Sequence, residues 1–210
     1  MKIDSIIFDM DGTLWDAVES YAKGWNNAFK ILNINQSVTK SFLDGLMGLE
    51  EKTYLERVIP SFPEDERKAI FQEVIKQQLL VIENEGGKLF PGVRTGLEIL
   101  SRHYQLFMVS NCPTDLIKYF IRWNGFENLI TDYREHGHLH IPKYENINNL
   151  KQVHKLQHSV YVGDTDSDRK HSELAGVPFI FVDYGFGQAT NYHQKFSNFD
   201  DLTSYLLDQR

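Results

Sequence analysis

The stretch "SIIFDMDGTLWD", residues 5–16, sets the reading of this chain. An apolar run, Ile6-Ile7-Phe8, stops at Asp9, and Asp11, Gly12 and Thr13 follow within four residues. Two carboxylates two positions apart at the mouth of a strand repel each other. Such a pair is tolerable only with a cation, a shared proton or open solvent.

Three later runs have the same form: residues 106–110 (LFMVS), 160–164 (VYVGD) and 179–183 (FIFVD). Their continuous apolarity predicts strands covered on both faces, as in a parallel sheet. Helical spacing lies between them, through Val93, Leu97 and Leu100, then Leu116, Ile117, Phe120 and Ile121, then Ile147, Leu150, Val153 and His154. A fourth helix follows Asp168 and ends at Gly176, a residue suited to a left-handed cap. The alternation predicts a doubly wound, Rossmann-like α/β core. Residues 17–85 break the pattern. Val18, Tyr21, Ala22, Trp25, Ala28, Phe29 and Leu32 make one apolar helical stripe, and helical stretches follow at about 39–47, 50–58 and 64–83. The expected organisation is a core of residues 1–15 and 87–210 with a small α-helical domain, residues 16–86, inserted after the first strand, and Gly86-Gly87 and Pro91-Gly92 marking the return.

Composition narrows the function. In 210 residues, 41% hydrophobic content with ten Tyr, fourteen Phe and three Trp supplies a core. A net charge of −7 argues against a nucleic-acid or anionic-membrane binder, which needs a basic face. The single Cys, Cys112, cannot form an internal disulfide and suits a reducing compartment. Asp4 interrupts the apolar start, so no leader is expected, and no run approaches membrane-spanning length. The expectation is a soluble, cytoplasmic protein, monomer or homodimer.

In open parallel sheets, ligands bind outside the carboxyl ends of the strands. Asp9, Ser110 and Asp164 each end an apolar run and so converge there, with Asp11 on the first loop and Asp168 one turn into a helix. A lone Asp at a strand end serves as a helix N-cap. Four carboxylates in one small volume call for a divalent cation, and an all-oxygen set suits Mg²⁺. A metal beside a poised carboxylate is equipment for phosphoryl transfer. Ser110 and Asn111, ahead of a helix expected to begin near Pro113–Thr114, offer a hydroxyl and N–H groups to phosphate oxygens. Lys143, before a helix expected at 145–156, offers a cation.

The segments "DMDGTLWD", "VSNC", "PKYENI" and "GDTDSD" resemble, in order and interval, the four motifs of the haloacid dehalogenase superfamily. "LFPGV" at 89–93 and "LAGVPFIFVDYGFG" at 174–187 resemble its phosphoglycolate phosphatase-like branch, which carries a helical cap after the first motif. The resemblance spans essentially the whole chain. It implies that Asp9 attacks phosphorus and forms an aspartyl-phosphate, and that Asp11 protonates the leaving alcohol and then deprotonates water. It implies Mg²⁺ on Asp9, the Asp11 main-chain carbonyl and Asp164 with Asp168 in support, and Gly12, Thr13, Ser110, Asn111 and Lys143 around the phosphoryl group. Asp166 shares the last motif and is expected to face away. Asp11 separates the chain from true dehalogenases, which lack that acid. The family often follows the third-motif lysine with Pro, whereas Tyr144 follows Lys143.

The expected activity is Mg²⁺-dependent hydrolysis of a small phosphorylated metabolite. The alternatives are a phosphomutase of the β-phosphoglucomutase type and a non-catalytic module that binds a phosphorylated ligand, for which an acid/base residue such as Asp11 has no use. Residues 44–50 (DGLMGLE), where related caps reach the leaving group, carry no Arg or Lys, and Leu46, Met47 and Leu49 are expected to pack between helices. His136, His138 and His140 alternate, which on a strand puts them on one face, and an exposed loop or edge strand is the reading preferred over a metal site. Lys23 and Lys30 on the first inserted helix are read as surface residues rather than as the Schiff-base lysine of phosphonoacetaldehyde hydrolase, a relative.

Overall fold

A computed structural model describes residues 3–137 and 141–209. The chain divides into two compact units, Met1–Trp15 with Leu89–Arg210, and Asp16–Lys88. The first elements are β1 (Ser5–Phe8), β2 (Trp15–Asp16), α1 (Val18–Ile31), α2 (Lys40–Asp44), α3 (Glu51–Val58), α4 (Glu64–Glu85) and β3 (Lys88–Leu89). There follow α5 (Val93–Leu100), β4 (Gln105–Ser110), α6 (Leu116–Asn124), β5 (Ile130–Glu135), α7 (Lys143–His154) and β6 (Ser159–Gly163). The chain closes with α8 (Asp166–Leu174), β7 (Phe179–Val182), β8 (Gln194–Phe196) and α9 (Phe199–Leu207). The short strands β2 and β3 pair where the chain passes between units.

In the first unit a six-stranded sheet runs β5-β4-β1-β6-β7-β8, parallel at every pairing. Ile6, Ile7 and Phe8 are fully buried, because both faces of the central strand are covered. On one face Ile7, Phe107, Val109, Tyr161 and Phe181 pack with Ile147 and Leu150 of α7. On the other, Phe8 stacks on Phe199 of α9 with ring centroids 6.0 Å apart. The register sets the site. Phe8 lies opposite both Met108 and Val162, so the three central strands end nearly level. From β1 the chain moves first to β4 and β5 on one side, then to β6, β7 and β8 on the other. The crevice beside β1 is thus the switch point where such sheets bind ligands.

The four strands expected from apolar runs are present, and two more join them. β5 (ITDYRE) and β8 (QKF) carry no such run because they are the sheet's edges. Charged side chains there, among them Asp132, Arg134 and Lys195, discourage pairing with another chain. Val153, expected on the buried stripe of α7, is 55% exposed. His154 beside it packs on Phe107 (centroids 4.9 Å) and bonds Asp132 Oδ2 at 2.8 Å. His136 follows the end of β5, its Nδ1 3.0 Å from the Ile141 carbonyl, whereas His138 and His140 lie outside the described residues.

The second unit is helical, with α1 packed along α4. The α1 stripe is buried from Val18 to Phe29, but Leu32 lies beyond the helix end and is exposed. Trp25 gathers Phe29, Tyr54 and Phe71 within 6.1 Å between centroids, and its Nε1 donates to Tyr54 Oη at 2.8 Å. Leu46 is buried, Met47 partly so, and Leu49 is exposed, so the expected packing of that loop holds for its first half. Lys23 pairs with Glu85 on the surface of this unit, and Lys30 is exposed.

Gly24 sits where α1 crosses α4, and a Cβ there would lie 2.8 Å from the Gln78 backbone. Alanine gains up to about 1 kcal/mol of helix propensity over glycine. Backbone overlap at a helix crossing costs about 1–3 kcal/mol, so overlap wins. Gly24→Ala is therefore expected to lower the urea midpoint followed by far-UV circular dichroism. A midpoint equal to or above wild type would contradict this packing.

Candidate active site

Asp9 continues the β1 ladder by one residue, its N–H donating to the Val162 carbonyl at 2.9 Å, and its side chain is buried. Lys143 is buried as the first residue of α7, which starts two residues earlier than its spacing suggests. Its Nζ donates to Asp9 Oδ1 at 2.9 Å and to Asp168 Oδ1 at 2.5 Å. The ammonium also lies 5.7 Å from the centroid of the Tyr161 ring. Tyr161 is fixed in turn, since its hydroxyl donates to the Val109 carbonyl at 2.7 Å.

Asp168 is held from its other side by a reciprocal cap. Its Oδ2 accepts from Thr165 N at 3.1 Å and Thr165 Oγ1 at 2.6 Å, and Thr165 Oγ1 accepts from Asp168 N. Asp164 is fully buried, and its Oδ2 accepts from the N–H groups of Phe186 (2.8 Å) and Gly187 (3.2 Å). Asp164 Oδ1 is buried with no hydrogen-bond partner. Gly12 has φ +81°, and a Cβ there would fall 2.2 Å from Asp164 Oδ2, so only glycine fits both the turn and the contact.

One oxygen each from Asp9, Asp164 and Asp168 lies within 4.8 Å of the others. The Asp11 carboxylate is not in this trio. Its Oδ1 accepts from Trp15 Nε1 at 3.0 Å, a partner four residues on that the sequence reading did not single out. Thr13 is buried beneath, its carbonyl taking the Tyr184 hydroxyl at 2.8 Å. Ser110 is buried at the end of β4 and Asn111 is exposed. The α6 helix begins only at Leu116, after Asp115 at φ +71°, so the Ser110–Asn111 turn does not lead straight into a helix N-terminus as expected. Asp166 turns outward to Arg169 Nε (2.6 Å) and Lys170 Nζ (3.2 Å).

The electrostatics follow from burial. Burial pushes the Asp9 carboxyl up to about 6; the Lys143 charge opposes the rise and Asp168 adds to it. Burial, and then the charges of Asp168 and Asp9, raise Asp164 well above the usual carboxylate range. For Lys143 burial opposes the charge, yet Asp168 and Asp9 outweigh it and hold the ammonium protonated. With every carboxylate of the trio ionised, one ammonium would leave two negative charges in a buried site, and the raised Asp9 and Asp164 carboxyls express that cost. The orphaned Asp164 Oδ1 and the all-oxygen donor set fit a divalent cation. Cys112 is a small buried residue whose thiol burial pushes up, against thiolate reactivity.

A parallel sheet with buried acids at its switch point and a lysine between two of them defines a doubly wound α/β protein with an acidic, cation-receptive site. The chain belongs to the haloacid dehalogenase-like hydrolase family, whose model matches residues 6–182. It is 24% identical over 220 residues to a phosphoglycolate phosphatase of Rhodobacter capsulatus, covering 94% of each chain. It is 25% identical over 190 residues to a phosphoglycolate phosphatase of Aquifex aeolicus, covering 86% of this chain and 85% of that one. A haloacid dehalogenase-like family hydrolase from Streptococcus pneumoniae superposes with a TM-score of 0.84 at 20% identity, over 98% of this chain and 99% of that one.

The raised pKa of Asp9 gives a signed expectation. A carboxyl near 3.8 in the unfolded chain and about 6 in the fold binds its proton more tightly when folded. Its contribution to stability is therefore largest at low pH and is lost as pH rises through that interval. A cation at the site replaces that proton, so added Mg²⁺ should raise Tm more at pH 7.5 than at pH 5.0. Equal increments in thermal denaturation of metal-stripped protein at the two pH values would overturn the assignment.

Proposed function

We propose that this protein is a Mg²⁺-dependent phosphatase of small phosphorylated metabolites, working through an aspartyl-phosphate on Asp9. The observation that carries the reading is Lys143 bonded to both Asp9 and Asp168 beside the orphaned oxygen of Asp164. Phosphoglycolate phosphatase relatives support the reaction class and make 2-phosphoglycolate the first substrate to test. Residues 44–50 add no Arg or Lys for a substrate carboxylate, so other phosphomonoesters belong in the same test. Leaving-group selection is assigned to the helical unit Asp16–Lys88. No helix among the described residues is long and apolar enough to cross a membrane.

In this mechanism Asp9 attacks phosphorus, the P–O bond to the alcohol breaks, and Asp11 gives the departing oxygen a proton. Water then attacks phosphorus of the acyl-phosphate while Asp11 takes a proton from that water, the P–O bond to Asp9 breaks, and phosphate leaves with both carboxyls restored. Lys143 fixes the Asp9 rotamer through Oδ1 and balances charge on the transferring group. Trp15 Nε1 orients Asp11 by holding Oδ1. Thr13 and Ser110, both buried, and the Asn111 amide are assigned to the phosphoryl oxygens, whereas the Gly12 N–H, expected there from the motif, already donates to the Trp15 carbonyl at 3.0 Å. Asp9, Asp164 and the Asp11 carbonyl would hold Mg²⁺ with Asp168 in support, and the ion would supply positive charge against the phosphoryl oxygens.

The direct test incubates purified protein and Mg²⁺ with phosphorylated metabolites and reads both released phosphate and rearranged sugar phosphate. Free phosphate is expected; an isomerised sugar phosphate without phosphate release would make the protein a mutase. Asp9→Asn should abolish turnover and acid-trapped phosphoenzyme with the fold retained, because an amide cannot form the acyl-phosphate. Asp11→Asn should cost roughly 10²–10⁴-fold in kcat. Near-wild-type turnover by Asp9→Asn would sink the covalent route.

EDTA should inactivate the protein and Mg²⁺ restore it. Asp164→Ala should raise the Mg²⁺ concentration for half-maximal activity far more than Asp166→Ala, since Asp166 is engaged by Arg169 and Lys170 on the outer side of α8. Matching shifts in the two Mg²⁺ titrations would mean the wrong carboxylate has been assigned.

A further inference from the structure

We propose that the loop after β7, Tyr184–Gly187, is a positioning element that restricts Asp164 to a single cation-binding oxygen and thereby biases the site toward Mg²⁺ over Ca²⁺. This rests on the reading that a divalent cation is held by Asp9, Asp164 and the Asp11 carbonyl with Asp168 in support. The two carboxylate oxygens of Asp164 are treated differently by the fold. Oδ2 takes two backbone N–H groups, from Phe186 at 2.8 Å and Gly187 at 3.2 Å. Oδ1 is buried and takes none. Turning the carboxylate to present both oxygens to one ion would break both N–H bonds, and nothing in a buried site replaces them.

The loop itself cannot lift away easily. A Cβ on Gly185 would lie 2.3 Å from the Gly12 carbonyl oxygen and 2.5 Å from both Cβ and Oδ2 of Asp164. A Cβ on Gly187 would lie 2.8 Å from the Asp164 carbonyl oxygen. The loop backbone therefore rests directly on the Asp164 residue and on the turn after Asp11. Tyr184 ties its start to that turn through the Thr13 carbonyl at 2.8 Å, and Phe90 packs on the rings of Tyr184 (5.0 Å) and Phe186 (6.4 Å). The Gly12 backbone also closes on Oδ2. Two abutting glycine turns thus crowd Oδ2, and Oδ1 is the oxygen left without a protein partner.

That restriction separates the two cations. Ca²⁺ takes about six to eight oxygens and readily uses both oxygens of one carboxylate, whereas Mg²⁺ takes about six at shorter distance in a near-ideal octahedron. A carboxylate confined to one oxygen meets the second demand and frustrates the first. The loop thus holds a ligand without contributing one, as partners of metal ligands do elsewhere.

The test is calorimetric titration of metal-stripped full-length protein with MgCl₂ and CaCl₂ at pH 7.5, without substrate. It compares wild type with Gly185→Ala and Tyr184→Phe, after circular dichroism confirms the fold. Wild type should bind Mg²⁺ more tightly than Ca²⁺. Gly185→Ala should weaken Mg²⁺ binding by about 10–100-fold and Ca²⁺ binding much less, so that the preference collapses. Tyr184→Phe should act in the same direction more weakly, and decides the matter alone if Gly185→Ala does not fold. Loss of both cations by one common factor would show a structural role only and overturn the proposal, as would a wild type indifferent between them. A wild type that binds neither cation would instead overturn the divalent-cation reading itself, and this proposal with it.

Discussion

Lys143 places one ammonium between the carboxylates of Asp9 and Asp168, in a buried site. The acids repel one another and lose hydration on burial, and the ammonium alone could not be buried without them. Each charge is tolerable only because the others are in place, so the end of β1 and the first turns of α7 and α8 are bound to one another electrostatically as well as by packing. The balance is incomplete. The third acid, Asp164, keeps one oxygen without a partner, and that unsatisfied oxygen beside two other acids makes the fold receptive to a cation. In this protein the frustration left by folding is the same quantity that the proposed chemistry uses.

The arrangement needs accurate strand ends. Parallel pairing of β1 with β4 and β6 stops all three within a residue or two of the same level, where Ser110 ends β4 and Asp9 and Asp164 directly follow β1 and β6. Glycine at position 12 lets the first loop turn back against Asp164, and the capping box of Thr165 and Asp168 starts α8 while aiming a carboxylate at Lys143. Tyr161 lies beneath the lysine and reaches across β1 to the Val109 carbonyl of β4. Cap, pleat and turn each serve local backbone needs and the site together.

The helical unit has a separate economy. Its core is an aromatic cluster around Trp25, with Gly24 allowing α1 to press on α4. None of the buried acids of the active site comes from it. Membership of the haloacid dehalogenase-like hydrolases leaves the substrate open, because a fold hosts many activities and the substrate is set by particular site residues.

The sequence by itself determined the parts that depend on local pattern. Buried parallel strands must be continuously apolar, so β1, β4, β6 and β7 were legible, and the acids at their ends with them. The edge strands β5 and β8 were not, because a strand with one neighbour needs less apolar surface and carries charge. Asp9, Asp164, Asp168 and Lys143 were legible as candidates from motif and spacing. Their mutual bonds were not, since Lys143 lies 134 residues from Asp9 and 25 from Asp168, and no local rule specifies contacts over such separations. Only the tertiary structure turned Asp11 toward Trp15, put Tyr161 under the lysine and laid the β7 loop on Asp164. These are decisions about side-chain direction and charge balance, which are made when distant segments are buried together and water is removed from between them.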